Sequence, residues 1–347
     1  MSPVEVSTVP SKKLVRKAGS VLAGRSDVMT EDQAMDILSK WRALHAYPIN
    51  TLQAYLRGVL KRNKFAGAIV AQRLKRTPSI VEKLKRFENM SLDRMQDIGG
   101  LRVIVDNIAD IYRLHQLMLN STRFKHQLDL PPHDYIKSPK NDGYRSLHQV
   151  IRYQNESHEE LNGLRLEIQI RTKLQHSWAT AVETLGMIQK SSLKAGQGDD
   201  ETKEFLKTVS ALFALKENQP LPPAFETATR DELIGSLLAL DKRKNFLAQL
   251  EGVAVSAHHI DTVTKDYTGY HVMQLFISEK SVRLTAFTEA QDAESFYKTK
   301  EMETKDDPNI AIVLMSAGAL KEIKKAYPNY FLDTTAFLKN IKQIVSC

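Results

Sequence analysis

The sequence predicts an α+β fold: a mixed or antiparallel sheet flanked by helices, then a second, smaller α/β layer. Three observations carry this. The stretch LRLEIQIRT alternates, with Leu164, Leu166, Ile168 and Ile170 on one side and Arg165, Glu167, Gln169 and Arg171 on the other, as in a half-buried strand. Helical spacing governs TEDQAMDILSKWRALHAYPINTLQAYLRGVLKR before it and KLQHSWATAVETLGMIQK after it. The proline-rich run QPLPPAF, 219–225, reads as a linker. We therefore expect a flexible tail over 1–29, a first domain over 30–218, and a small α/β domain over 226–347.

Each element has its own signal. Thr30 with Asp32 in the first turn starts a helix, and the Tyr47-Pro48-Ile49-Asn50 run predicts its break. Ala68–Ala71 reads as a short buried strand leading to Arg73, Lys75 and Arg76. Ser79 and Glu82 suggest a capping box for the helix that carries Lys83, Lys85 and Arg86. MQDIGGLRVIVD is a strand whose Gly99-Gly100 pair suggests a bulge or close backbone approach. NIADIYRLHQLMLN is an amphipathic helix, SLHQVIRY a strand, and DDETKEFLKTVSALFALKEN a helix. In the second domain a helix ends near Gly252, YHVMQLFIS and SVRLTAFTE pair around Glu279-Lys280, and AQDAESFYKTKEMET is a helix. NIAIVLMSA is a strand, followed by a helical stretch broken at Pro328.

Composition narrows the function classes. The 347 residues are 42% hydrophobic and 26% charged, enough apolar material for a core. No run approaches the roughly 18 apolar residues of a membrane span, and the first residues lack the apolar region of a signal peptide. The single cysteine, Cys347, excludes an internal disulfide framework and a cysteine-based zinc site, and suggests a cytoplasmic setting. Residues 1–220 carry 34 Lys/Arg against 24 Asp/Glu, and residues 221–347 carry 15 against 17. The first part, at +10, suits an anionic partner such as nucleotide phosphates or nucleic acid, although a basic surface without a partner has the same charge.

Phosphoryl chemistry needs a metal held by carboxylates, cations on phosphate oxygens and a base for the attacking hydroxyl. Arg165, Glu167, Gln169 and Arg171 share one strand face, though a solvated edge would look the same. Asp97 sits at the start of another strand. No glycine-rich phosphate loop of the Walker type is present, so Arg73, Lys75 and Lys83 are the candidates for phosphate binding by side chains. Between these elements lies PPHDYIKSPKNDGYRSLH, polar, turn-forming and rich in anion-binding groups.

Taken in order, QRLKRTPSIVEKLKR, MQDIGGLRVIV, DYIKSPKNDGYRSLH and LEIQIRTKLQHSWA resemble the four signatures of the RelA/SpoT family of (p)ppGpp synthetases. The resemblance covers about 30–218 and implies a mixed-sheet, nucleotidyltransferase-like domain that moves the β,γ-diphosphate of ATP onto the 3′-hydroxyl of GDP or GTP. It implies Asp97 as a Mg²⁺ ligand and Glu167 as general base, sharing the metal. Arg73 and Arg102 would clasp the adenine, a planar role that lysine cannot fill. Lys75 and Lys83 would hold ATP phosphates. Tyr144 would stack on the acceptor base, with Lys140, Arg145 and His148 beside it and Gln169 and Arg171 ordering the catalytic strand. His176 and Trp178 would pack the next helix, and Gly143 would let the loop turn tightly. His133 stands where long family members carry Lys or Arg. The His133-Asp134 pair mimics the metal signature of the family's hydrolase, but residues 1–62 are too short for that domain, so synthesis without hydrolysis is expected.

Two acceptors stay open. The chain resembles a small alarmone synthetase with an added C-terminal domain. WRALHAYPINTLQAYLR resembles a toxic branch that pyrophosphorylates the tRNA 3′ end, self-inhibited or paired with an antitoxin or an external protein trigger. In YTGY and YPNY, Tyr267 with Tyr270 and Tyr327 with Tyr330 resemble an inhibitory Y-x-x-Y element, although a core aromatic pair has the same spacing. An oligomer is left open.

Overall fold

A computed structural model of the chain describes residues 9–189, 193, 198–251, 270–276, 281–304, 307, 310–316 and 334–346. Tyr267, Tyr327, Tyr330, Glu279, Lys280, Gly252, Pro328 and Cys347 lie outside the described residues. Among the described residues, no helix is long and apolar enough to cross a membrane.

The first element falls where a loose tail is expected. α1 (Lys12–Leu22) is capped by Ser11 and buries Val15, Ala18 and Leu22. A Cβ on Gly19 would stand 2.6 Å from the Leu92 Cβ, so the helix needs glycine to lie against the Leu92–Arg94 turn. Arg16 bonds Asp93 at 2.8 Å. The expectation of a flexible tail over 1–29 is thus corrected for 12–22, residues 1–8 lying outside the described ones: the apolar spacing is short, and the surface α1 covers lies about 70 residues away in sequence. α2 (Glu31–Ala43) starts at Thr30 as expected, in a capping box with Gln33. α3 (Ala46–Arg62) follows at once. The predicted break at Tyr47–Asn50 is wrong, because Pro48 lies in the first turn of α3, where no intrahelical N–H is lost.

One five-stranded sheet organises the first part of the chain. Its strands are β1 (Ile69–Leu74), β2 (Gly99–Val105), β3 (Gln127–Asp134), β4 (Leu147–Arg152) and β5 (Arg165–Thr172), in the order β1-β2-β5-β4-β3. β2 and β5 are parallel and every other neighbouring pair is antiparallel, so the sheet is mixed. α4 (Thr77–Arg86) lies between β1 and β2, and α5 (Ile108–Leu119) between β2 and β3. α4 begins at Thr77 with proline in its first turn; Ser79 is already inside the helix, so the expected capping box is absent. β3 runs into the turn-forming stretch 131–148 and takes up its first four residues. It carries Pro131 and Pro132 at a register shift between Asp129 and His133, on an edge strand, where missing N–H groups break no ladder.

α6 (Lys173–Ile188), α7 (Asp200–Lys216), α8 (Arg230–Lys244) and the final helix α10 (Thr335–Ser346) build a second core. It packs Phe205, Phe213, Leu233, Leu237, Phe337 and Ile341 together. The ring centroids of Phe213 and Phe337 lie 5.8 Å apart. The proline linker at 219–225 therefore divides the sequence without dividing this core. A three-stranded antiparallel sheet, β6 (Tyr270–Phe276), β7 (Ser281–Phe287) and β8 (Ile310–Ser316) in the order β7-β6-β8, packs with α9 (Ala290–Glu303) around Val272, Ala293, Tyr297 and Ile312.

α9 also reaches back to the first domain. The buried Arg42 guanidinium donates to Tyr297 at 3.0 Å, to Glu301 at 3.1 Å, to Thr77 Oγ1 at 2.9 Å and to the Lys75 carbonyl at 3.0 Å. Burial lowers the Arg42 pKa; Tyr297 and Glu301 more than offset this and leave it raised. One arginine thus ties the C-terminal sheet to the turn between β1 and α4.

Phe337→Ala is expected to cost about 3–5 kcal/mol, the usual range for emptying a buried aromatic site. Hydrogen exchange along α7 reads it: faster exchange over Asp200–Lys216 is expected, and unchanged protection would show that α10 belongs to a separate core.

Candidate active site

Alternation splits the large sheet into two faces. One is apolar, with Leu101 and Val103 from β2 and Leu166, Ile168 and Ile170 from β5. The other is polar, and strand register sets its neighbours. Arg73, Gly100, Glu167 and Val150 form one row across β1, β2, β5 and β4. Ala71, Arg102, Gln169, His148 and His133 form the next, across all five strands. A cavity of about 440 Å³ opens over this face.

Gly100 has a definite steric reason. A Cβ there would stand 2.6 Å from the Glu167 carbonyl oxygen, so any side chain would push β2 off β5 at the level of the acid. The expected close backbone approach is borne out; the expected bulge is not, since β2 pairs in continuous register on both sides.

On the β1–β2 side, Asp97 lies two residues ahead of β2. Lys75 Nζ reaches its Oδ2 at 2.6 Å and Lys83 Nζ its Oδ1 at 2.8 Å. Burial pushes the Asp97 carboxyl up, but the two ammonium groups outweigh it and hold the pKa at about 2. Burial also lowers the Lys75 pKa, and Asp97 opposes that. Arg73 and Arg102 are diagonal neighbours on the antiparallel β1–β2 pair, a relation that sets side chains roughly 7–8 Å apart. That is about twice an aromatic contact distance of 3.5–4.0 Å, the width of one planar ring held between two planes.

On the β4–β5 side a chain of bonds runs through the acid. His148 Nδ1 lies 2.9 Å from Glu167 Oε1, and Gln169 Nε2 donates to Glu167 Oε2 at 2.7 Å. Arg171 donates to Gln169 Oε1 at 2.7 Å, and Tyr144 Oη lies 2.8 Å from His148 Nε2. Burial raises the Glu167 carboxyl, yet the His148 charge and the two hydrogen bonds prevail and hold it at about 2. Burial lowers the His148 imidazole, and the charges of Tyr144 and Glu167 outweigh it, raising the pKa to about 9. Tyr144 is pushed up by burial and down further by His148 and Arg171, to about 8.

The stretch 131–148 forms the adjoining wall. β3 sends alternate residues to opposite faces, so His133 lines the cavity while Asp134 turns away to accept from Tyr112 Oη at 3.0 Å and from the Ile136 and Lys137 amides. The pair that resembles a metal signature is therefore split. Gly143 has φ +87°, and a Cβ there would meet Ser210 at 2.8 Å, which accounts for the tight turn. Lys140 Nζ sits 4.2 Å from the centre of the Tyr135 ring and 5.3 Å from that of Tyr144.

Of the sequence candidates, the cavity brings together Arg73, Lys75, Lys83, Asp97, Arg102, Lys140, Tyr144, His148, Glu167, Gln169 and Arg171. Arg145 is the exception. It points away, donates to the Pro220 carbonyl and lies near Glu217. Neighbours in an extended segment face opposite ways, so Tyr144 and Arg145 cannot both line the wall. Trp178 does pack, donating to the Leu206 carbonyl at 2.7 Å, but it also lines the cavity. Tyr135 was missed, although it stands in the DYIK motif. Among the described residues none beyond Leu206 lines the cavity, and Tyr270 lies on β6.

Part of the chain is similar to known proteins. Residues 72–188 match the model of a region found in RelA / SpoT proteins. The chain is 29% identical over 166 residues to GTP pyrophosphokinase YjbM of Bacillus subtilis, a match spanning 43% of this chain and 77% of that protein. It is 34% identical over 116 residues to GTP pyrophosphokinase YwaC of the same organism, spanning 31% of this chain and 52% of that one. Among solved structures, the small alarmone synthetase 1 from Bacillus subtilis bound to pppGpp aligns with TM-score 0.43 at 26% identity, covering 50% of this chain and 88% of that one. The matched region contains β2 through β5, both carboxylates and the Tyr144 wall, and over these residues the chain is similar to the region found in RelA / SpoT proteins.

Proposed function

We propose that the chain is an ATP-dependent diphosphotransferase that moves the β,γ-diphosphate of ATP to the 3′-hydroxyl of a guanine nucleotide, giving (p)ppGpp. The observation that carries this reading is the position of Glu167, between the cationic Arg73–Lys75–Lys83–Arg102 group and the Tyr144–His148 wall in one cavity. A phosphate donor and a nucleoside acceptor then have separate walls and one shared acid. The relatives YjbM and YwaC, both named GTP pyrophosphokinase, support the same acceptor.

In this reading the adenine lies between Arg73 and Arg102, with the phosphates on Lys75 and Lys83. Tyr144 stacks on the acceptor base, an interaction worth about 1–3 kcal/mol per base. Lys140 lines the same side. The 3′-oxygen attacks the β-phosphorus, the bond from that phosphorus to the α,β-bridging oxygen breaks, AMP leaves, and the hydroxyl proton passes to Glu167. Asp97 and Glu167 fit Mg²⁺: both are ionised hard-oxygen donors, and that ion takes one or two carboxylates and completes its shell with water and substrate phosphate. When bound, the metal would neutralise charge on the transferring phosphates. Among the described residues no cluster of three or more metal-binding side chains exists, which suits an ion held partly by substrate.

The His148–Glu167 pair has a cost for catalysis. A carboxylate held near 2 is a weak base, so the pair has to loosen for Glu167 to accept a proton. Tyr144 holds the other His148 nitrogen, so an acceptor ring on Tyr144 bears directly on that bond.

Two results are expected. Glu167→Gln should lower turnover by about 10²–10⁴-fold, the usual yield of general-base catalysis, with ATP affinity nearly unchanged. Incubation with γ-³²P-ATP and GDP, GTP or bulk tRNA identifies the acceptor: label in a guanine nucleotide is expected, and label confined to tRNA would overturn the choice of acceptor. The His148 pKa, raised in the folded chain, also fixes a pH window: the ion-pair stabilisation is full below the ordinary value near 6.5 and is lost as pH rises through about 9. Imidazole NMR should show His148 titrating near 9 and dropping toward or below 6.5 in Glu167→Gln; an unmoved value would mean that Glu167 does not hold the proton there.

A further inference from the structure

A second cavity, of about 330 Å³, adjoins the first across the acid pair. The two share Lys83, Gln96, Asp97 and Glu167. Beyond that border the smaller cavity is lined by Asn89, Met90, Arg94 and Arg165, with no aromatic ring among its described lining residues. It therefore offers no platform for a base. Arg165 stands on the same face of β5 as Glu167, one alternation earlier. Its Nη1 donates to the Arg94 carbonyl at 3.2 Å. Arg94 is itself braced, with Nε on Ser91 Oγ at 2.8 Å and Nη2 on the Asn89 carbonyl at 3.0 Å. Among the described residues no carboxylate lies within ion-pair distance of either guanidinium, in contrast to Lys75 and Lys83 on Asp97. Two braced cations that face a small cavity, neither in an ion pair with its carboxylates, make a site for a compact anion.

The order of groups along the face identifies which one. Arg73, Lys75 and Arg102 line only the larger cavity, Lys83 and the two carboxylates line both, and Arg94 and Arg165 line only the smaller one. On the donor reading given above, the β-phosphorus must lie at the carboxylates, because the base and the attacked atom have to meet there. The adenine lies on one side of that point, so the γ-phosphate has to lie on the other. We propose that Arg94 and Arg165 bind the terminal phosphate of the nucleoside triphosphate donor, and so select a triphosphate over a diphosphate donor. The inference rests on the donor reading and adds to it the residues that sense the third phosphate. A forked guanidinium fits the three terminal oxygens better than an ammonium.

Calorimetric affinities of the full chain for ATP and ADP with Mg²⁺, and for GDP and GTP, test this in wild type, Arg165→Gln and Arg94→Lys. Arg165 touches only a backbone carbonyl, and Arg94→Lys keeps the charge while losing the fork. Thermal melts check that both variants fold. Wild type is expected to bind ATP more tightly than ADP. Arg165→Gln should weaken ATP about tenfold, as loss of one charge-assisted hydrogen bond does, with ADP changed less than about twofold. Arg94→Lys should also lower the ATP-to-ADP ratio. Equal weakening of ATP and ADP, or an unchanged ratio, would overturn the proposal. Weakened GDP and GTP with ATP intact would assign the cavity to the acceptor and overturn it as well. If wild-type protein binds no ATP, the donor reading itself fails, which is a different result from an unchanged ratio.

Discussion

Two carboxylates on one partly buried sheet face are tolerated only because cations are built in beside them. Asp97 and Glu167 have side chains about one-quarter and one-sixth exposed, at 23% and 15%. A desolvated, unpaired carboxylate would protonate and lose both its metal affinity and its basicity. Lys75 and Lys83 prevent this at Asp97, and His148 with Gln169 at Glu167. Much of the rest serves these contacts. α4 carries Lys83, the end of β1 leads to Lys75, β4 carries His148, and the missing side chain of Gly100 lets β2 pack against β5 at Glu167.

The same compensation leaves the site closed on itself. Each Asp97 oxygen is bonded to a lysine, and both Glu167 oxygens are engaged. In the proposed reaction, a phosphate chain on Lys75 and Lys83 would compete with Asp97 for those ammonium groups and free its oxygens for a cation, which would couple donor and metal binding through one salt-bridge exchange. The buttress from Arg42 to Glu301 and Tyr297 adds a mechanical link, because Arg42 also grips the Lys75 carbonyl. Through it α9 is tied to the turn that carries Lys75.

Local pattern made much of this legible, and distance in sequence hid the rest. The alternation in LRLEIQIRT located Glu167 and Gln169 on a polar face, and the glycine pair marked the close approach of β2. Pro131 and Pro132 concealed β3, because prolines argue against a strand unless it is an edge with a bulge. α1 resembles a tail in sequence because three small or branched apolar residues signal little until Leu92 is placed against them. Arg145 was misassigned for want of the backbone direction at Tyr144. No periodicity reveals a bond between Arg42 and Glu301, 259 residues apart, or that α8 and α10 complete the core of α6 and α7.

In the proposed reaction donor and acceptor nucleosides occupy opposite sides of Glu167. A crystal structure of the chain with a non-hydrolysable ATP analogue tests this most directly. The adenine is expected between Arg73 and Arg102, with its phosphates on Lys75 and Lys83. An adenine stacked on Tyr144, with the arginine pair empty, would contradict it.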